Sequence, residues 1–339
     1  MFQKILVPLD GSARAERAVP IAARIAQTTG GTVVVLHVVH LLVEYAPYLV
    51  QAPAFTETVL NEELEHANAY LARVARSPAL EGLKTETEAF FGVEAYTILT
   101  FARASKVDLI VLCSHGRTGF KRWALGSVAQ KIARYSPVPV LLLREGAPEN
   151  RLSASPAGGM HPLRALVALD GSPVAEVTLV PAAHLVAALG ASPKGKGELH
   201  LTSVVKLQEK HDDTLRDDAL RERAEYEAMA YLGTVASHLR DGLAAELGLQ
   251  VTYSLVPGED IADALIRTAE LGEDTATFQA CDLLAIATHG HSGFERWMLG
   301  SITERVLDGT RLPLLIVQPA EQQGPAPGEL KEAKVNGHI

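Results

Sequence analysis

The sequence predicts an α/β protein of two doubly wound domains, each an open, mostly parallel five-stranded sheet with helices on both faces. Three observations predict it. The chain has 339 residues, enough for two domains with a core each. Short apolar, β-branched runs alternate with segments of helical period, the pattern of a parallel sheet covered on both sides. One stretch also occurs twice, over 111–127 and 286–301. Counting from His115 and from His289, nine of thirteen consecutive positions are identical with no gap, which marks an internal duplication.

Taken in order, residues 4–9 are an apolar run and Asp10-Gly11-Ser12 is turn chemistry, so a buried strand leads into a loop. Ser12 or Asp10 can cap one helix in which Ala15, Ala18, Val19, Ala22, Ile25 and Ala26 recur at helical spacing. Thr29-Gly30-Gly31 ends it, and the β-branched run 32–39 is a second buried strand. Residues 41–55 are apolar and aromatic without a period and contain Pro47 and Pro53; they read as a loop or lid. Leu60, Leu64, Ala67, Leu71 and Val74 mark one face of a long helix over 56–76. A strand follows over 84–91, a helix over 92–104, a buried strand over 107–113 and a helix over 128–135. Ser136-Pro137 stops that helix, and 138–143 is the last strand. Right-handed crossovers turn this β-α-β-α-β-α-β-α-β order into an open doubly wound sheet.

The first domain thus spans 1–145, and a Pro-, Gly-, Ala- and Ser-rich linker spans 146–163. The same order returns over 164–318, with Asp170-Gly171-Ser172 repeating the first turn. Insertions fall at 188–197, 209–225 and 272–280, at loop or helix-extension positions. The tail, 319–339, is rich in Pro, Glu, Gln and Lys and reads as disordered.

A formal net charge of −9 argues against nucleic acid or an anionic membrane as partner, but not against a small anion held locally. Cys113 and Cys281 do not match across the repeat, so a disulfide framework is not expected and a reduced, cytoplasmic setting is. The opening residues move straight into a strand-like run, so no signal peptide is expected, and no unbroken apolar segment reaches membrane-spanning length.

In a doubly wound sheet, ligands sit beyond the carboxyl ends of the strands. Asp10 and Gly116 fall there together, as do Asp170 and Gly290. Gly116 and Gly290 allow close backbone approach. Gly126-Ser127 and Gly300-Ser301 open helices whose N–H groups suit phosphate. Asp10 and Asp170 suit a ribose hydroxyl, while Arg117, Lys121 and Arg122 make the first loop basic. Together these point to a nucleotide. Each residue also has a plainer reading. The Gly-Ser pairs can be simple helix starts, and each Asp can bond its own turn. Trp123, Trp297, Phe120 and Phe294 read as core or domain-contact anchors. His115 and His289 read as backbone hydrogen-bonding residues, since no metal-ligand spacing accompanies them. Recurrence of the whole set in both halves favours the nucleotide. The sequence contains no Walker-type loop and no Gly-x-Ser-x-Gly nucleophile motif.

Both halves resemble universal stress protein domains, and the chain is similar to a tandem universal stress protein. The family motif is Gly, two residues, Gly, nine residues, then Gly-Ser or Gly-Thr. Here its later positions are Gly116 with Gly126-Ser127, and Gly290 with Gly300-Ser301; the first Gly is instead Cys113 or Ala287. Each departure adds a Cβ at a strand end, which predicts weakened or reshaped binding. In the second half His291 and Glu295 replace Arg117 and Lys121, predicting a less positive phosphate end. The resemblance implies ATP as ligand, with AMP or ADP as alternatives and Mg2+ only as companion of the nucleotide. It implies a first site of Pro8, Asp10, Val38, Cys113, His115, Gly116, Arg117, Gly126, Ser127 and Val128. The second is Ala168, Asp170, Val204, Ala287, His289, Gly290, Gly300, Ser301 and Ile302. It further implies a non-catalytic regulator or protector in stress response, an internal pseudo-dimer paired through 138–143 and 312–317, and an unidentified protein partner or homo-oligomer. The alternatives are an interaction module without nucleotide and a slow ATP hydrolase.

Overall fold

The computed structural model describes residues 1–40, 53–114, 125–144, 152, 162–190, 197–206, 214–272, 279–289 and 299–319. Their contacts divide into two compact units, Met1–Leu142 and Leu143–Pro319.

In the first unit the strands are β1 (Lys4–Leu9), β2 (Thr32–Val39), β3 (Lys84–Phe91), β4 (Leu109–Cys113) and β5 (Val140–Leu143). They stand in the order β3-β2-β1-β4-β5. β1 runs parallel to β2, from Lys4↔Thr32 to Leu9↔His37, and to β4, while β2 runs parallel to β3 from Thr32↔Lys84 to Val39↔Phe91. The crossovers contain α1 (Ala13–Glu16), α2 (Ala18–Thr29), α3 (Pro53–Ala75), α4 (Glu94–Ala104) and α5 (Ser127–Tyr135). Helices on both faces explain why Ile5, Leu6, Val7 and Val33 to Leu36 are all buried: a central parallel strand has no wet side.

β1, β2 and β3 have the bounds expected from sequence, α4 and α5 start within two residues of expectation, and four further differences have a clear local cause. The single helix expected after Ser12 is two. Ser12 Oγ accepts from Ala15 N (3.2 Å), and Arg17 N reaches back three residues to Arg14 O (3.2 Å), a tight turn that closes α1 before α2 starts. α3 begins at Pro53, three residues ahead of the expected start, because proline at a first helical position loses no needed donor. β4 starts at Leu109, since Val107 N still bonds Ala102 O (3.0 Å) at the end of α4. β5 starts at Val140, after Pro139, which has no N–H to offer a ladder. Of the loop or lid expected over 41–55, residues 41–52 lie outside the described residues.

The second unit repeats this plan with β6 (Arg164–Ala168), α6 (Pro173–Glu176), α7 (Leu179–Gly190), β7 (Glu198–Lys206), α8 (Thr214–Asp241), α9 (Leu243–Leu247), β8 (Gln250–Gly258), α10 (Ile261–Leu271), β9 (Leu283–Ala287), α11 (Ser301–Gly309) and β10 (Leu314–Val317). Its strand order is β8-β7-β6-β9-β10, again parallel. The insertion at 209–225 is largely helix, lengthening α8 to 28 residues against 23 in α3. Most of the linker and nearly all of the tail lie outside the described residues. Pro173–Gly190, interrupted by Glu176 and His184, has the length and composition of a membrane span, but Leu179, Ala182, Ala183, Leu185 and Val186 in it are buried within the unit.

At the amino ends of the strands both units tie β1 or β6 to the next strand inward. Asp108 accepts from Gln3 N (2.7 Å) and Lys4 N (3.2 Å), and Asp282 accepts from Arg164 N (2.9 Å). The second unit adds a buried polar chain. Arg164 Nε donates to Glu198 Oε2 (2.7 Å), and Thr252 Oγ1 donates to Glu198 Oε1 (2.8 Å). With the Thr252 proton so placed, His200 Nδ1 is the donor in its 2.8 Å contact to Thr252 Oγ1, and His200 Nε2 lies 2.8 Å from Ser254 Oγ. Burial pushes the His200 pKa down to about 4, against smaller opposing pull from Glu198.

Candidate functional site

In the first unit β1 to β4 run parallel, as do β6 to β10 in the second, so the loops after β1, β2 and β4, and after their counterparts, gather at one sheet edge. Between β1 and β4 the strand order reverses, and crossovers leave to opposite faces, opening a crevice.

The loop after β1 is built by its own side chains. Asp10 Oδ1 accepts from Ser12 N (3.0 Å) and Ser12 Oγ (2.6 Å), while Ser12 Oγ accepts from Ala15 N. Gly11 sits at φ +84, a left-handed conformation suited to glycine. The plainer reading of Asp10 therefore holds, and the turn also directs its carboxylate to the crevice lining. Asp170, Gly171 (φ +83) and Ser172 reproduce the arrangement, with the same 3.0 and 2.6 Å bonds.

The second wall is the start of α5. Gly126 N donates to Ser114 O (2.9 Å), so the excursion after β4 begins and ends at one point. As N-cap, Gly126 supplies no side-chain oxygen to the first N–H groups of this nine-residue helix, unlike Ser12 at α1. In the second unit Gly300 N donates to Thr288 O (2.8 Å), and Gly300 likewise caps α11 without a side chain. A Cβ on Gly300 would lie 3.2 Å from Thr288 O, so the close return favours glycine.

The first unit has a cleft of about 310 Å³. Pro8, Asp10, Val38, Cys113, Gly126, Ser127 and Val128 all line it, so seven expected site residues meet there. Cys113 Sγ lies 4.0 Å from Ala15 O, across the crevice. His115, Gly116 and Arg117 lie outside the described residues, as do Phe120 and Trp123. The second unit has a smaller cleft of about 150 Å³, lined by Ala168, Asp170, Val204, Ala287, His289 and Ile302 among others. Gly300 and Ser301 are not on its lining, and Gly290 lies outside the described residues, with Phe294 and Trp297. Where Ala129 lines the first cleft, Thr303 lines the second and donates to Ala287 O (2.8 Å). This bulk, with Ile302 in place of Val128, narrows the second cleft. His289 is 6% exposed and contacts Thr288 Oγ1 through Nδ1 (3.1 Å), a local bond rather than a ligand set. Among the described residues no three His, Cys, Asp or Glu side chains could together hold a metal ion.

A tyrosine from the long helix stands near each aspartate. Tyr231 Oη donates to Glu176 Oε1 (3.0 Å), and burial, with Glu176 and Asp170, raises its pKa. Burial, Glu16 and Asp10 do the same to Tyr70, which packs on His37 with ring centroids 5.6 Å apart. Sequence reasoning did not single out Glu94 and Ile98 on the first cleft, or Ile261 and Leu265 on the second. Their distance from Gly92 and Gly258 along a helix start was the available signal, but it does not say which way each side chain turns.

Residues 1–144 and 163–318 each match the profile of the universal stress protein family. A universal stress protein of Methanocaldococcus jannaschii is 34% identical over 147 residues, covering 43% of this chain and 84% of its own. One of Mycolicibacterium smegmatis is 25% identical over 325 residues, covering 93% of this chain and 97% of its own. The solved structure of a universal stress protein from Archaeoglobus fulgidus has a TM-score of 0.60 at 21% identity, covering 96% of this chain and all of its own.

Proposed function

Because this chain belongs to the universal stress protein family, we propose that it binds adenine nucleotide, ATP first, and acts as a nucleotide-dependent regulator or protector in stress response rather than as a catalyst. One observation supports this most: Asp10, Val38 and the uncapped start of α5 line a single cleft at the reversal point of the first sheet. Each supplies what a nucleotide needs. Backbone N–H groups and the positive end of a nine-residue helix receive phosphate. A carboxylate held by its own turn accepts from ribose hydroxyls. Val38 and Ile98 give the base an apolar seat. The volume, about 310 Å³, falls at the lower end of the roughly 300–1,000 Å³ usual for small-molecule sites.

A second reading applies to the second unit alone. Its cleft is about half as large and does not include Gly300 or Ser301 in its lining, so that unit can serve as an interaction module with weak nucleotide binding or none.

Titration calorimetry of the full chain with ATP tests both. Tight binding with one site per chain supports a nucleotide-binding first unit and an interacting second; two sites support the same role for both. No binding up to millimolar ATP overturns the proposal.

A further inference from the structure

The two clefts also differ in what the helix after the third strand adds to their lining. In the first unit Gly92 N donates to Val39 O (3.2 Å), and α4 begins two residues later with Glu94. This puts Glu94 on the lining of the cleft beside Val38 and Ile98. Its Oε1 lies 3.1 Å from His40 Nδ1, and His40 directly follows β2. The side chains are 37% and 50% exposed, so the pair forms a lip rather than a floor. The N-cap of α4 is Val93, which offers no side-chain cap.

In the second unit the acid stands one position earlier. Asp260 is the N-cap of α10, accepts from Asp263 N (2.9 Å), and pairs with Arg305 through its other oxygen. The first helical residue is Ile261, and it is Ile261 that lines the cleft beside Val204 and Leu265. Glu94 is therefore on the lining of its cleft, while Asp260 is absorbed by a helix cap and an arginine and is not on the lining of the second.

We propose that Glu94, steadied by His40, is the base-selecting residue of the first unit, favouring a purine with an amino group at the lip over a 6-oxo purine, and that the second unit, with Ile261 there, lacks this selection. The inference rests on the reading above, that a purine nucleotide lies with its base beside Val38. A carboxylate only accepts hydrogen bonds, so it pairs with an exocyclic N–H and repels a carbonyl oxygen in the same place. A charge-assisted bond at a half-exposed lip corresponds to about tenfold in affinity.

The test uses the full chain carrying Ser301→Glu, which puts a carboxylate where phosphate would bind in the second unit and leaves the first to be read alone. ATP and inosine triphosphate, which differ at the 6-amino group, are titrated calorimetrically. ATP is expected to bind about tenfold more tightly than inosine triphosphate. Glu94→Gln, whose amide can also donate to a carbonyl, and Glu94→Ile should each bring the ratio close to one. An unchanged ratio in both variants, with ATP still bound, overturns the inference and leaves nucleotide binding standing. Tighter binding of GTP than ATP also overturns it, since the carboxylate would then be reading the N–H edge of guanine. Failure of the unsubstituted chain to bind ATP overturns the underlying reading and the inference with it.

Discussion

Glu94 and Asp260 are both acids at the start of the helix that follows the third strand of their unit, and a single helical position separates their roles. As N-cap, Asp260 turns back to Asp263 N; as first helical residue, Glu94 is on the lining of the cleft. The amino ends of the same sheets diverge in a similar way. Lys4 meets Glu86 in a half-exposed ion pair at 2.8 Å, whereas the corresponding Arg164 enters the buried chain through Glu198 and Thr252 to His200. By strand register Val34 stands where His200 does. Outside β7, which buries His200, Thr202 and Ser203 where β2 has Val34, Leu36 and His37, the strands keep the same order and mostly apolar burial. Duplicated units thus hold their strand order constant and diverge most at the strand ends and along β7, where a polar side chain is accepted if a neighbouring strand supplies its partner.

Four substitutions sharpen or break this comparison. The largest effect is expected from Ser127→Glu and Ser301→Glu taken singly. Both serines are exposed first residues of helices, where an acid suits the dipole, so each variant should keep its melting temperature. A carboxylate against phosphate at close range costs about a thousandfold in affinity at the altered unit. Calorimetric stoichiometry then tells which unit binds; an unchanged isotherm in both variants breaks the assignment of phosphate to these helices.

Next is the pH response of the second unit. Unfolded, His200 takes up its proton near its ordinary pKa of about 6.5; folded, it does so only near 4. The unfolded state therefore binds more protons between these values. The contribution to stability is full above pH 6.5 and is lost as pH falls towards 4, amounting to about 3 kcal/mol. Denaturant melts at pH 7.5, 5.5 and 4.5 should show this loss in wild type and a flatter profile in His200→Val. Equal slopes would mean that other groups govern acid sensitivity.

The smallest effect is expected from Cys113→Gly, which restores the family glycine and removes the Cβ beside the first cleft. ATP binding by the first unit should tighten by less than about tenfold, because added backbone freedom offsets part of the gain in space. Weaker binding in a folded variant would show that the Cys113 side chain is itself a contact.

Much of the framework was legible in the chain. A strand buried on both faces must be apolar and β-branched throughout, so 32–39 could be bounded to the residue, and strict duplication placed the turns at Asp10 and Asp170. Seven expected residues of the first site line one cleft for the same reason: parallel strands carry their following loops to a common edge. Glu198, His200, Thr202 and Ser203 were less legible. Their run reads as an ordinary strand, but Glu198 and His200 find side-chain partners on β8, and hydropathy along one segment carries no information about those partners. The break at Arg17 was hidden too, because α1 and α2 present the same small apolar residues on either side of it.

By itself, the sequence determined the family, the duplication and the order of elements, since these depend on local period, turn chemistry and repetition. Only the tertiary structure decided which acid after the third strand reaches a cleft, how far Thr303 and Ile302 narrow the second cleft, and that burial lowers the His200 pKa. Those depend on distances between segments far apart in the chain, where a shift of one helical position or one methyl group changes what a side chain touches.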